Sequence, residues 1–226
     1  MGSKNRIAKY ILPIILENRK EGQWYVEPFC GGCNTLDKVT DNRVGCDSNL
    51  NVINAMIAIR DCICDLPQDN KQFTEEDYKN LRSGDYKYKG YAGFAFSYGG
   101  KWMGGWCRDG LDSRDYVAES YRNALNQSPL LQGVQLVHKS YLDLKFKQNC
   151  IIYCDPPYFG STGYKDKFNH TEFWDWCRQM KAEGHTIFIS EYNAPDDFKC
   201  VWQKEQVSSL TKDTGSKRAI EKLFTI

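Results

Sequence analysis

The chain has 226 residues, of which 41% are hydrophobic, 14% aromatic and 26% charged. This composition excludes a disordered, collagen-like or fibrous polypeptide and suits one large globular domain or a domain with an insert. Thirty Lys and Arg against 29 Asp and Glu leave a formal charge of +1, so a surface for a polyanion has to come from local segregation of charge.

Apolar Ile7, Tyr10, Ile11, Ile14 and Ile15 recur at helical spacing and predict an amphipathic helix over 4–18, which Pro13 bends or splits. Trp24-Tyr25-Val26-Glu27 is a short β-prone run stopped by Pro28; Gly31-Gly32 and a helical stretch over 34–40 follow. Arg43-Val44-Gly45-Cys46-Asp47 is a second strand, and the run from Asn51 to Ile63 is an apolar helix. Over 65–112 this rhythm breaks. Thr74 followed by Glu75, Glu76 and Asp77 predicts a capped helix start, and from Tyr86 to Trp106 aromatic residues are interleaved with glycines. Those aromatics either fill a small core or, beside Lys87, Lys89 and Lys101, form a surface that follows phosphates and stacks against bases.

The alternation resumes with a helix near 113–126, a strand at Gln135-Leu136-Val137 and a fully apolar strand at Cys150-Ile151-Ile152-Tyr153-Cys154. A helix over 170–183, a strand from Thr186 to Ser190 and two late strands, Lys199 to Val207 and Ala219 to Ile226, complete the chain. Seven strand candidates with helices between them predict an α/β fold: a mostly parallel sheet covered on both faces, with 65–133 inserted between 1–64 and 134–226. No apolar run is long enough to span a bilayer, and the polar start Met1-Gly2-Ser3-Lys4 lacks the apolar stretch of a secretory signal. We therefore expect a cytoplasmic protein without membrane contact.

Ten cysteines in a chain of this kind read mostly as reduced core residues, as at Cys46, Cys150 and Cys154. Two closer spacings stand apart, Cys30-Gly31-Gly32-Cys33 and Cys62-Ile63-Cys64. Zinc would need better-matched pairs and nearby histidines, whereas His138, His170 and His185 lie far along the chain, so no metal site is expected. A redox role for Cys30 and Cys33 stays open on spacing alone.

In open α/β sheets ligands bind beyond the carboxyl ends of the strands, which directs attention to Glu27-Pro28-Phe29-Cys30-Gly31-Gly32. Glycine there either makes a tight turn or admits a nucleotide closely; Asp47, ending the second strand, is either a helix-start acid or an acceptor for ribose hydroxyls. Asp155-Pro156-Pro157-Tyr158, after the most hydrophobic strand, is more discriminating. Two prolines stiffen the backbone, so the Asp155 carboxylate and the Pro156 carbonyl can be held as paired acceptors for a primary amine, beside the flat face of Tyr158. A base inside duplex DNA has to be flipped out before its amine reaches such a pair.

With these residues in view, the sequence resembles the S-adenosylmethionine-dependent N6-adenine DNA methyltransferases, in particular the Dam-like class that includes many phage enzymes. Gly2-Ser3-Lys4 before an apolar helix is similar to the family's N-terminal motif, whose lysine meets the methionine carboxylate. Glu27-Pro28-Phe29-Cys30-Gly31-Gly32 is similar to its Phe-x-Gly-x-Gly loop, with Cys33 in place of the second glycine. Asp47 resembles the ribose acid, Asp155 to Tyr158 the catalytic motif, Phe168 and His170 the Phe-x-His pair, and Ser190-Glu191-Tyr192-Asn193 the next strand exit. The order of motifs is that of the α-type.

The resemblance implies a Rossmann-like sheet of the S-adenosylmethionine methyltransferase type with an inserted target-recognition region over 65–133. It implies S-adenosylmethionine as donor and S-adenosylhomocysteine as product, with Lys4, Glu27, Pro28, Phe29, Gly31, Gly32, Asp47 and Asp155 toward the cofactor. Asp155, Pro156, Pro157 and Tyr158 are then the catalytic residues. The partner is duplex DNA containing a target adenine, met by Tyr98, Lys101, Trp102, Trp106 and Arg108 in the insert and by Lys217 and Arg218 in the late hairpin. A monomer is expected, with a dimer left open. The chemistry needs no metal and no covalent intermediate.

Two alternatives remain distinguishable. A cytosine-N4 enzyme would attack the same kind of amine, although Asp rather than Ser at 155 favours adenine by resemblance. A catalytically silent DNA-binding protein on the same fold is suggested by the departure at Cys33. A cytosine-C5 enzyme is set aside, because none of the ten cysteines follows a proline.

Overall fold

In a computed structural model, which describes residues 4–110, 113–146, 149–159, 168–207 and 218–226, the chain opens with helix α1 (Asn5–Leu16). Its Ile7, Ala8, Ile11, Leu12 and Ile15 form one buried stripe. The helix runs unbroken through Pro13, so the expected split does not occur. Pro13 removes the hydrogen bond to the Lys9 carbonyl, but both residues are exposed and water can take that carbonyl, while the apolar stripe on the opposite face holds the helix together.

Strands β1 (Tyr25–Glu27) and β2 (Arg43–Asp47) follow, and the helix expected over 34–40 is only a 3-10 turn at Leu36–Lys38. Helix α2 (Leu50–Asp61) is capped by Asn49, whose side chain accepts from the Asn51 N–H. The start signal at Thr74 is a full capping box with Asp77 on helix α3 (Glu75–Asn80). Helices α4 (Lys89–Ala95) and α5 (Tyr116–Gln127) precede strands β3 (Gln135–His138) and β4 (Ile151–Cys154). Helix α6 (His170–Ala182), strand β5 (Thr186–Glu191) and the pair β6 (Lys199–Val207) and β7 (Arg218–Thr225) complete the fold.

The strands form one seven-stranded sheet in the order β3-β2-β1-β4-β5-β7-β6. Strands β3, β2, β1, β4 and β5 pair in parallel, and β7 runs antiparallel to both β5 and β6. The chain therefore departs in opposite directions from β1 and β4, which makes the crevice beyond their carboxyl ends the topological switch point. Because β7 points the other way, its first residues return to that same edge.

Period-two alternation in β4 sends Ile151 and Tyr153 to one face and Ile152 and Cys154 to the other. The first face packs on α1 and α2; the second packs on α6 through Phe173, Trp176 and Cys177. Within 65–133, Phe73, Tyr78, Tyr91, Phe96 and Val117 are buried in the same core as α1 and α2. The segment is thus anchored to the sheet's helical layer. Cys46, Cys150 and Cys154 are buried. No helix among the described residues is long and apolar enough to cross a membrane, and no group of three or more His, Cys, Asp or Glu among them could hold a metal ion.

Candidate functional site

At the exit of β1 the chain makes a tight turn: the Cys30 N–H donates to the Cys46 carbonyl at 2.8 Å, and the Cys33 N–H to the Cys30 carbonyl at 2.7 Å. Gly31 takes the left-handed conformation, φ +46°, and a Cβ there would meet nothing within 4 Å, so its outer side is open. Its N–H donates to Asp47 Oδ2 at 3.2 Å, while the Asn49 N–H donates to Oδ1 at 2.8 Å. Asp47 thereby ties the ends of β1 and β2 together. Burial pushes its carboxyl up, against the two N–H donors and His138. Cys33 is fully buried at φ +55°, a conformation that glycine adopts at less cost, so the cysteine that departs from the resembled loop sits where its second glycine would be less strained.

The other residues of the loop lie deeper. Pro28 is buried, and Phe29 packs against Tyr141, Phe168 and Phe173 with ring centroids 5.2, 5.7 and 5.7 Å away. Glu27 is 2% exposed and accepts from the Tyr25 hydroxyl at 2.8 Å. Burial pushes its carboxyl up to about 8, against hydrogen bonds from Thr35 and Tyr25 and with a further push from the Asp155 charge. Glu27 is thus a neutral acid beneath the turn around pH 7. Gly32 is exposed.

Beyond β4, Asp155 meets Lys4, which stands just before α1. Lys4 Nζ is 3.1 Å from Asp155 Oδ1 and 2.6 Å from Glu221 Oε1, and the side chain is 9% exposed. Burial works against the Lys4 ammonium, but Asp155 and Glu221 outweigh it and hold its pKa above the usual lysine value. Burial also raises the Asp155 carboxyl, opposed by Lys4 and Tyr158. The Tyr158 hydroxyl donates to Glu221 at 2.9 Å; its ring lies 4.5 Å from the Lys4 ammonium and edge-on to Tyr192, with centroids 4.7 Å apart. Pro156 is buried and Pro157 half-buried.

Two further acids complete this edge, Glu221, which the sequence did not single out, and Glu191, from the strand exit that the resemblance named. Glu221 belongs to β7, and Glu191, at the end of β5, is 1% exposed and accepts from the N–H groups of Phe159 and Tyr192 at 3.1 and 2.7 Å. A cavity of about 400 Å³ opens beside them, lined by Phe159, His170, Trp174, Glu191, Tyr192 and Asn193 among others; no residue of the glycine turn lines it.

In the insert, Ser97 and Trp106 form an antiparallel bridge that closes a small hairpin. Tyr98 is 61% exposed, and Lys101 and Arg108 are exposed, Arg108 pairing with Glu75. Trp102 and Trp106 are half-buried: Trp102 packs on Gly93 and Phe94, and Trp106 on Tyr78 and Phe96. For these two rings the small-core reading describes the packing. Arg218 begins β7, with its backbone opposite Val207; Lys217 lies outside the described residues.

The sheet and its switch point define a Rossmann-like α/β fold. Residues 1–98 match the family model described as D12 class N6 adenine-specific DNA methyltransferase, which bears out the resemblance over a stretch that includes Lys4, the glycine turn and Asp47. Asp155 to Tyr158 lie beyond it. Among solved structures, the chain is similar to a Haemophilus influenzae protein described as a methylase (10% identity, 99% of this chain and 98% of that one, TM-score 0.40). It is also similar to a Listeria monocytogenes protein described as a class I S-adenosylmethionine-dependent methyltransferase (12% identity, 100% and 59%, TM-score 0.42). A third, described as a methyltransferase complexed with SAH, is 11% identical over 100% of this chain and 52% of that one, with a TM-score of 0.39. No curated protein matches the chain.

Proposed function

We propose that the protein transfers a methyl group from S-adenosylmethionine to the N6 amine of adenine in duplex DNA, after the base is flipped out of the stack. The observation that carries this reading is the meeting of Lys4, Asp155 and Tyr158 beyond β4, on the edge where the Gly31 turn follows β1 and Asp47 ends β2. The open side of Gly31 and the carboxylate of Asp47 fit a nucleoside, and Lys4 fits a carboxylate. Lys4, Gly31, Gly32 and Asp47 would hold the donor, which when bound supplies an electrophilic methyl group on a positively charged sulfur.

The residues of the turn act on the acceptor. The adenine amine is a poor nucleophile because its lone pair is delocalised into the ring. Accepting its hydrogens at Asp155 and at the Pro156 carbonyl localises that pair toward the methyl group. Asp155 can do so while paired with Lys4, because a carboxylate offers more acceptor directions than one ammonium fills. Tyr158 supplies a ring for the extruded base to stack on, and the stiff Pro156-Pro157 turn fixes both, so positioning and electrostatics carry the step. Tyr98, Lys101 and Arg108 give the insert an exposed face toward DNA, with Arg108 able to meet guanine or phosphate.

The test is incubation with methyl-labelled donor and duplex DNA, followed by digestion and identification of the labelled nucleoside. N6-methyladenine is expected. N4-methylcytosine would replace adenine with the rival base, and unlabelled DNA would favour the silent DNA-binding protein.

A further inference from the structure

Glu221 is a charged, 13%-exposed side chain on a strand whose sheet-holding work is done by its backbone ladder. Among the described contacts it faces the catalytic turn. Its Oε1 and Oε2 lie 2.9 and 3.2 Å from the Tyr158 hydroxyl, and Oε1 also takes the Lys4 ammonium at 2.6 Å. The same ammonium reaches Asp155 at 3.1 Å and stands over the Tyr158 ring, and Tyr192 closes on that ring edge-on. Tyr158 is therefore gripped at its hydroxyl by Glu221, above its ring by Lys4 and at its side by Tyr192.

We infer that Glu221 is a positioning residue for methyl transfer: its carboxylate fixes the Tyr158 ring through the hydroxyl and shares the Lys4 ammonium with Asp155. The inference rests on the reaction proposed above. Two consequences follow. Without an acceptor at 221 the Tyr158 hydroxyl loses this anchor, and the ring the base stacks on is less well aimed. Without the charge at 221, Lys4 loses one of the two carboxylates that hold its ammonium over the Tyr158 ring. A plain stabilising ion pair is the competing explanation. Buried ion pairs are a weak source of stability, however, and this one contacts two residues of the turn that the reaction uses.

The experiment compares rates of methyl transfer to duplex DNA, with donor binding followed by calorimetry. Glu221→Gln keeps an acceptor for the Tyr158 hydroxyl, and Glu221→Leu keeps bulk without one. We expect kcat to fall roughly ten- to a hundredfold in Glu221→Leu, the range for a lost hydrogen bond to a charged group, with Glu221→Gln recovering part of the loss. The donor dissociation constant should change less than kcat does. Tyr158→Phe tests the same bond from the other end and serves if Glu221→Leu does not fold; combined with Glu221→Leu it should cost no more than Glu221→Leu alone. An unchanged kcat in Glu221→Leu, or fully additive losses in the double variant, overturns the inference while leaving the proposed reaction standing. If the unsubstituted protein transfers no methyl group, the reaction itself is overturned, and the inference with it, before any substitution is made.

Discussion

Glu27 and Asp155 show how burial sets the chemistry of single residues at this edge. Glu27 is held protonated up to about pH 8 by desolvation, whereas an unfolded chain would ionise it near 4.5. The folded state then binds the extra proton between those values, so the contribution of Glu27 to stability is fully present below about pH 4.5 and is lost as pH rises toward 8. Glu27→Gln, which mimics the neutral acid, should flatten that dependence; melting temperatures of both proteins from pH 5 to 8 check it, with a gain on the order of 3 kcal/mol expected for the variant at pH 8. In the proposed reaction Asp155 has to be ionised to accept an amine, and its raised carboxyl should then place the acid loss of kcat above the usual aspartate range. Lys4 opposes that rise, so Lys4→Gln should move the acid limb of the kcat profile to higher pH, measured at saturating donor. Asp155 drew attention in the sequence because it directly follows the apolar strand β4, and Asp47 because it ends β2. The neutral state of Glu27 was not legible there, because it depends on Tyr25, Thr35 and the absence of water around them.

Among elements, the strands were the most readable, since those buried on both faces are near-continuous apolar runs, as in β4. Helix α1 survives Pro13 because the lost bond faces solvent, and the stretch after the glycine turn shrinks to Leu36–Lys38 because Leu36 is drawn into the core. Glu221 escaped sequence reasoning for a topological reason: only the antiparallel course of β7 brings an acid near its start to the edge where β4 ends. The hairpin of the insert depends on Gly93, where a Cβ would come within 2.4 Å of the Trp102 ring. Gly93→Ala should displace that ring and Met103, whose N–H bonds the Gly93 carbonyl, at a stability cost on the order of 1 kcal/mol. If the hairpin meets DNA as proposed, duplex affinity should fall in fluorescence anisotropy while calorimetric donor binding is retained.

At the scale of the whole molecule, the sheet order brings together residues that are far apart in the chain. Lys4, Asp155 and Glu221 come from its beginning, middle and end, yet one ammonium touches both carboxylates. The resemblance named the lysine, and the aspartate had already stood out behind its apolar strand; their direct contact was not foreseen, since it requires α1 to pack on the sheet face beside β4. The proposed reaction needs the Asp155 carboxylate as acceptor of the target amine, and its sharpest test is label transfer from methyl-labelled S-adenosylmethionine to duplex DNA by Asp155→Ala beside the unsubstituted protein, with donor binding titrated in parallel. Transfer should fall about a hundredfold or more with donor binding largely kept; transfer by Asp155→Ala at the unsubstituted rate would contradict the role assigned to Asp155.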